Sequence, residues 1–356
     1  MELEIWSLKG SHFHFGEQGL GQENTRAFWS SDGLFSALVA RLAVLPPPCP
    51  AVEAWMQPFL AQQPPFVLTS LFPFAGEVLF FPVPLAATLP DGKPLPGDVR
   101  PKELKKVQFV SEALYRRLLA GQTLIDLQGE AHRLQAETVW VSQAELPKLP
   151  KPMRSGEGHA LWLIEKRPRV TVERSSDRSL LFHVGAVHFA PVCGLWFGVQ
   201  WLQKDGLHAE WFTPLLFDLG EAGVGAERSV GYGRGEFTRT GNLTLPDPQS
   251  AWTSLSRYLP RPQEMAAFRH PRAAWKVQTV GGWLVSPQKG GQRRRPVQMV
   301  QEGATLGLPG ESRPPSTKCP GASMWVAVCS WNVHSWLKKP SSGIVTSVRR
   351  EGGSNP

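Results

Sequence analysis

Five glycines between a helical pattern and a strand pattern constrain this chain most strongly. The stretch GVGAERSVGYGRGEF covers residues 223–237. Glycine tolerates positive φ angles and lets another backbone or a ligand come close. Exposed N–H groups in such a loop can cradle anionic oxygens, and Arg228 and Arg234 can add charge-assisted bonds to phosphate. The pattern therefore predicts either a phosphate cradle or an ordinary turn with two solvated arginines.

Other glycine motifs do not fit this stretch. It lacks the Lys-Ser/Thr pair that closes a nucleotide-hydrolysing P-loop. A dinucleotide fingerprint follows a strand and opens a helix, which is the reverse of the order here. The RNA-binding RNP1 sequence is missing as well. Tyr232 offers an aromatic face on which a base can stack, which favours single-stranded nucleic acid as the ligand.

Apolar spacing predicts the order of the first elements. Residues 1–15 alternate as a strand does, and leucines at helical spacing from Leu34 to Leu45 predict a helix that the following prolines end. Two short apolar pieces over 65–84 predict a hairpin. Strand, helix, strand, strand is the opening order of a ferredoxin-like unit.

The rest of the chain predicts an α+β fold of two ferredoxin-like units with a basic inserted arm. The first unit covers 1–185, with a Pro- and Lys-rich insertion over about 90–160 that stands off the core. The second covers 186–303 and contains the glycine-rich loop, 223–235. Residues 304–356 show no clean periodicity and predict an irregular tail.

Charge and cysteine usage leave the partner open. The formal net charge is +8, but residues 304–356 carry six Lys or Arg against two Glu, so the remaining body is only mildly basic. The four cysteines show no metal-ligand spacing, so we expect free thiols and no metal or cofactor. The N-terminus lacks a signal-peptide pattern, and no apolar run is long enough to cross a bilayer. We therefore expect a cytoplasmic protein without a membrane partner.

Three separated segments carry a family resemblance. FHFG (13–16) precedes the helix start SSDGLFSAL (30–38), RPRVTVERSSDRSLLFHVGAVHF covers 167–189, and the glycine-rich loop follows. In this order the segments resemble the RAMP superfamily of CRISPR RNA-binding proteins. The closest resemblance is to the family of fourth subunits of type III-A Csm effector complexes.

The resemblance implies a non-catalytic RNA-binding subunit active in antiviral defence. Such a subunit holds the 5′ repeat-derived handle of the CRISPR RNA (crRNA). It bridges the large Cas-ten subunit to the backbone RAMP subunits, and it meets target RNA only indirectly. An inserted hairpin "thumb" lies against the guide in this family, which makes Leu104 or Phe109 a candidate wedge.

The expected RNA-binding residues fall into four groups. They are Gly225, Arg228, Ser229, Gly231, Tyr232, Gly233, Arg234 and Gly235 in the loop; Arg169, Arg174 and Arg178 beside a strand; Ser31 at a helix start; and Lys105 and Lys106 in the insertion.

Two alternatives remain open at this point. A RAMP endoribonuclease that processes repeat RNA would use a histidine as general acid or base, for which His12 and His14 are the candidates. A scaffold that binds only protein partners is the second alternative. Asp32 is explained by its place in the first turn of a helix, where an acidic side chain complements the helix dipole.

Overall fold

The computed structural model describes residues 1–16, 24–88, 101–155, 160–172, 179–281, 283–284, 292–293 and 295–308. Its α-helices are α1 (Ser31–Leu42), α2 (Val52–Leu60), α3 (Pro101–Leu104), α4 (Glu112–Leu119), α5 (Leu124–Leu127) and α6 (Leu207–Ala222).

The strands of the described residues, in chain order, are β1 (Glu2–Gly10), β2 (Phe66–Leu68), β3 (Phe72–Ala75), β4 (Val78–Pro82), β5 (Phe109–Ser111), β6 (Ala131–Leu134), β7 (Val139–Ser142), β8 (Trp162–Val172), β9 (Ser179–Phe189), β10 (Cys193–Trp201), β11 (Gly235–Thr244), β12 (Ala251–Thr253), β13 (Val277–Val280), β14 (Trp283–Leu284), β15 (Gln292–Arg293), β16 (Val297–Val300) and β17 (Thr305–Gly307).

A ferredoxin-like unit forms one half of a nine-stranded sheet. Its strands lie in the order β11-β1-β10, followed by β2 and β3, which both pair with β10. Helix α1 follows β1 and helix α6 follows β10, which gives the β-α-β-β-α-β order of this fold. The two helices are joined by an ion pair between Arg41 and Asp218, at 2.5 Å. The predicted α+β class is confirmed.

The predicted boundary at residue 185 is wrong, because this unit draws on both sides of it. Strand β1 is central and pairs antiparallel with β10 on one edge and β11 on the other. Five of its residues from Leu3 to Leu8 are buried, as a strand covered on both faces requires. The first strand pairs with strands at residues 193–201 and 235–244, and a pairing over such a distance leaves no local sequence signal.

The expectation that residues 90–160 stand off the core is also wrong for the part that the structure describes. Strands β4, β5, β7 and β6 continue the same sheet, and β5, α4 and β7 form a β-α-β unit with parallel strands. Leu104, Phe109 and Tyr115 are at most 4% exposed. The two candidate wedges are thus core residues. The apolar pieces here are only three or four residues long, so polar neighbours mask their period.

A two-stranded ribbon takes the place of the expected arm. Strands β8 and β9 have eleven residues each and pair over their whole length. Five apolar side chains on this ribbon are about half exposed or more, namely Leu163, Ile164, Val170, Val172 and Leu181, whereas Trp162, Val184, Ala186 and Val187 are buried. The candidate arm is therefore the pair of strands β8 and β9 and does not lie within 90–160. Residues 173–178, with Arg174 and Arg178, lie outside the described residues.

Residues 251–308 form a smaller unit with its own apolar core around Trp252 and Tyr258. It contacts helix α1 of the ferredoxin-like unit through Arg257, whose guanidinium lies 3.2 Å from Asp32. The predicted tail begins too early, because β17 pairs with β12 and Leu306 is fully buried. Residues 309–356 lie outside the described residues.

The described residues contain no membrane-spanning helix and two free cysteines. None of their helices is long and apolar enough to span a membrane. Cys49 and Cys193 are free thiols, and burial raises the pKa of Cys193 to about 12. Cys319 and Cys329 lie outside the described residues.

The position of β17 predicts different outcomes for two truncations. A chain ending after Gly303 loses the strand that covers Trp252, whereas a chain ending after Leu308 keeps it. Burying one leucine contributes about 1.5–3 kcal/mol, and each kcal/mol shifts the thermal midpoint by about 2–4 °C in a domain of this size. Calorimetry should therefore show a midpoint several degrees lower for the shorter chain. Equal midpoints would mean that β17 contributes nothing to folding.

Candidate nucleic-acid interface

The glycine-rich loop joins the end of α6 to the start of β11. Gly223 ends the helix with a φ of 88°. Residues 228–230 form one short 3-10 turn, which Gly231 ends with a φ of 92°. Positive φ at both ends explains why glycine stands there, since other residues adopt this conformation at a cost.

The loop is hydrogen-bonded to the segment that follows β1. The N–H of Gly233 donates to the carbonyl of His12 at 2.7 Å, and the N–H of Ala226 donates to the carbonyl of His14 at 2.9 Å. Inside the loop, Val224 donates to the carbonyl of Gly233 at 2.9 Å. These donors are used within the protein, so they are not available to cradle an anion.

Three of the glycines permit this close backbone approach. A Cβ at Gly225 would collide with the His14 carbonyl, and one at Gly233 would collide with the Val224 carbonyl. A Cβ at Gly235 would lie 2.6 Å from the carbonyl of Lys9. Only Gly231 faces open space, with no described atom within 4 Å of the added Cβ. The expectation that Gly225, Gly233 and Gly235 admit a ligand is thus wrong, because the protein's own backbone occupies that space.

The outer part of the loop remains exposed. We call residues 228–231 together with Arg234 the crest of the loop; all five are exposed. The side chains of Arg228 and Arg234 form no ion pair or hydrogen bond with any residue that the structure describes. The crest thus presents two cationic groups and one hydroxyl, from Ser229, to solvent.

Tyr232 does not present a stacking face. Its side chain is 3% exposed, and the guanidinium of Arg169 lies over its ring at 5.4 Å. The His12 ring contacts it edge-on, with the centroids 6.1 Å apart. The stacking expectation is wrong because these two side chains cover the ring. The contact nevertheless joins the glycine-rich loop to β8.

A group of titratable side chains lies at the base of the ribbon, next to the loop. The rings of His12 and His188 are in edge-on contact, with centroids 4.4 Å apart. His188 Nε2 lies 3.4 Å from a carboxylate oxygen of Glu165 and 3.3 Å from the guanidinium of Arg167, which also pairs with Glu165 at 3.3 Å. We call these four residues the histidine cluster. Burial, then the charges of His188 and Arg167, lower the pKa of His12, while Glu165 raises it.

Sequence reasoning found only one member of this cluster, His12. Residues 165, 167 and 169 alternate on β8 and therefore share one face of the ribbon. The register pairs Leu163 with His188, which places that histidine on the same face. The alternation of charged residues on β8 indicates a shared face. The sequence does not show that β9 and the segment after β1 bring His188 and His12 to that face, because these pairings are not local.

His14, by contrast, is a packing residue. It is 4% exposed, and its Nδ1 lies 2.7 Å from the carbonyl of Gly185.

Ser31 is enclosed by protein. It is 4% exposed, its Oγ accepts from the N–H of Arg257 at 3.2 Å, and its own N–H donates to Ser70 Oγ at 2.9 Å. Both groups therefore have protein partners, and the contact of Ser31 with RNA stays a prediction. Asp32 lies in the first turn of α1, as expected, and also pairs with Arg257.

Lys105 and Lys106 are exposed residues that follow α3. The structure shows no contact that joins them to the loop or to the ribbon among the described residues. Arg169 is half-buried over Tyr232 and is the one predicted arginine of β8 that the structure brings to the loop.

Known proteins resemble this chain in structure but not in sequence. No family model matches the chain, and no curated protein sequence matches it. Among solved structures, a chain of the Csm3–Csm4 subcomplex in the type III-A CRISPR-Cas interference complex aligns with a TM-score of 0.59. The two chains are 16% identical, and the alignment covers 87% of this chain and 93% of the other. This chain has the fold of a type III-A effector subunit.

Two further structures align with lower scores. A chain of the Csm1–Csm4 cassette in complex with cA4 gives a TM-score of 0.49 at 16% identity, covering 86% of this chain and 87% of that one. A chain of the Type III-B Cmr-beta complex bound to cognate target RNA and AMPPnP gives 0.47 at 11% identity, with 86% of each chain covered. Both scores are below 0.5, so neither alignment carries an argument here, and the likeness of fold rests on the Csm3–Csm4 structure. The expected resemblance is confirmed at the level of the fold.

The loop geometry predicts unequal costs for two glycine substitutions. Gly233→Ala forces a Cβ into the Val224 backbone, whereas Gly231→Ala meets only the penalty of a positive φ, about 1–2 kcal/mol. The first variant should lose clearly more free energy of unfolding than the second, measured by urea denaturation. Both positions have similar φ angles, 84° and 92°, so Gly231→Ala is a matched control. Equal losses would show that close approach does not explain Gly233.

Proposed function

We propose that this chain is a non-catalytic RNA-binding subunit of a type III-A CRISPR effector complex. In this proposal it holds the 5′ repeat-derived handle of the crRNA and bridges the large Cas-ten subunit to the backbone subunits. The observation that carries the proposal is the position of the cationic crest beside the ribbon. The contact between Arg169 of β8 and Tyr232 of the loop holds the two together.

The chemistry of this surface suits single-stranded RNA. Arginine forms charge-assisted and often bidentate bonds to phosphate, and Arg228 and Arg234 are exposed for this purpose. Gly231 leaves open space beside them, so a sugar-phosphate backbone can approach the crest closely. In a single strand, unstacked bases and phosphates are both accessible to a loop of this kind.

The proposed protein partners rest on a shared fold and on the resemblance of three sequence segments. The fold is shared with a chain of a Csm3–Csm4 subcomplex, and we extend that mode of assembly to this chain. The bridge to the Cas-ten subunit rests on the resemblance of the three sequence segments.

One observation favours the endoribonuclease alternative, because His188 lies in ring contact with His12 and could act with it as an acid–base pair. Histidines that act as general acid and base must lie within hydrogen-bond reach of the protons that they transfer on the RNA. The two rings touch each other instead, which favours the non-catalytic role. Incubation with repeat RNA should therefore give no cleavage; specific cleavage that is lost in His12→Gln would overturn this part of the proposal.

Arg234→Ala tests the crest directly. It removes one phosphate partner and leaves the backbone path of the loop unchanged, so affinity for guide RNA should fall by roughly 1–3 kcal/mol. The slope of log affinity against log salt should become shallower, because fewer counterions are released. The thermal midpoint should barely move, since the side chain is exposed.

Arg239→Ala is the matched control for this measurement. Arg239 is an exposed arginine on β11 that pairs with Glu4 instead, so its loss should leave affinity and salt slope nearly unchanged. If Arg234→Ala and Arg228→Ala both bind guide RNA like the parent at physiological salt, the crest is only a turn and the proposed interface is wrong.

A further inference from the structure

The histidine cluster combines charge, titratable groups and access to solvent. Its members come from the segment after β1, from β8 and from β9, and they meet beside the glycine-rich loop. The side chains of Arg167 and Glu165 are 43% and 51% exposed, and that of His188 is 21% exposed. A ligand from solvent can therefore reach the cluster.

The hydrogen-bond partner of His188 depends on whether its Nε2 carries a proton. When Nε2 carries no proton, it can accept from the guanidinium of Arg167 at 3.3 Å. When Nε2 is protonated, it can only donate, and the carboxylate of Glu165 lies 3.4 Å away to accept. Protonation thus releases one N–H group of Arg167 from the ring.

Protonation of both His12 and His188 is unfavourable when no anion is bound nearby. The ring of His12 touches that of His188, so protonating both places two like charges at short range beside Arg167. The other groups around the pair are Glu165, which offsets part of this charge, and Tyr232, which touches His12 and is covered by Arg169. A bound phosphate would supply the missing negative charge.

We propose that the histidine cluster is a binding site for an RNA phosphodiester and takes up a proton as the RNA binds. This inference rests on the proposed RNA-binding function and names a second contact for it, separate from the crest. Arg167 donates to the phosphate through the N–H group that His188 releases. The imidazolium of the pair adds a second positive charge next to the same anion.

Proton uptake makes the affinity depend on pH in a defined direction. The free protein disfavours a charged His12 next to His188 and Arg167, and a bound anion favours it, so binding raises the pKa of His12. Affinity should therefore rise as pH falls, by up to about tenfold per pH unit for one proton. A phosphodiester keeps its charge across the range in which histidine titrates, so the dependence reports the protein.

The experiment measures binding of a labelled, unstructured single-stranded RNA to the full-length protein at constant ionic strength, from about pH 6 to pH 8. Calorimetry in two buffers of different ionisation enthalpy counts the protons taken up by the parent protein itself. His188→Gln and His12→Gln remove the titrating groups. His183→Gln is the matched control, because His183 pairs with Pro168 on the opposite face of the same strand.

The parent and His183→Gln should bind several-fold more tightly at the lower pH and take up close to one proton. His188→Gln and His12→Gln should flatten the pH dependence while retaining binding through the crest. RNA binding that is independent of pH in the parent, or a pH dependence unchanged in both cluster variants, would overturn this inference and leave the proposed function standing. Absence of RNA binding at every pH would overturn both together.

Discussion

The close approach of the glycine-rich loop to the segment after β1 is the constraint on which the candidate interface depends. The carbonyls of His12 and His14 accept the N–H groups of Gly233 and Ala226. A Cβ at Gly225 would collide with the His14 carbonyl, and a Cβ at Gly233 would collide with Val224 inside the loop. The docked loop fixes the crest on its outer side. The same contact brings Tyr232 to Arg169 and His12 to His188, so loop, strand and ribbon meet at one place.

Local sequence patterns predict the first strand and the first helix, but they do not predict which strands pair over long distances. The alternation of the first residues and the leucine spacing of α1 predict both elements, because each period is a local property of the sequence. The partners of β1 lie at residues 193–201 and 235–244, and no short-range period reports such a pairing. The sheet strands within residues 109–142 leave little signal for a related reason, since strands of three or four residues carry too little periodicity.

The site was predicted in part, and its errors have one physical origin. Residue type identified Arg228 and Arg234 as groups that suit phosphate, and both are exposed. It could not show that Tyr232 is covered, that Ser31 is enclosed, or that most of the glycines serve internal packing. Glycine permits a ligand or another segment of the chain to come close, and the sequence alone does not distinguish these two uses. Glu165, Arg167 and His188 became relevant only through the register of β8 and β9.

The central claim is that the crest and the base of the ribbon together hold the 5′ end of a guide RNA. The most direct measurement is ultraviolet crosslinking of the protein purified from cells that also express a CRISPR array, followed by sequencing of the bound RNA and mass spectrometry of the crosslinked peptides. The account predicts that the repeat-derived 5′ end of the guide is recovered and that it is attached to peptides from residues 225–237 and 162–189. Recovery of RNA without a common 5′ sequence, or crosslinks confined to other parts of the chain, would contradict it.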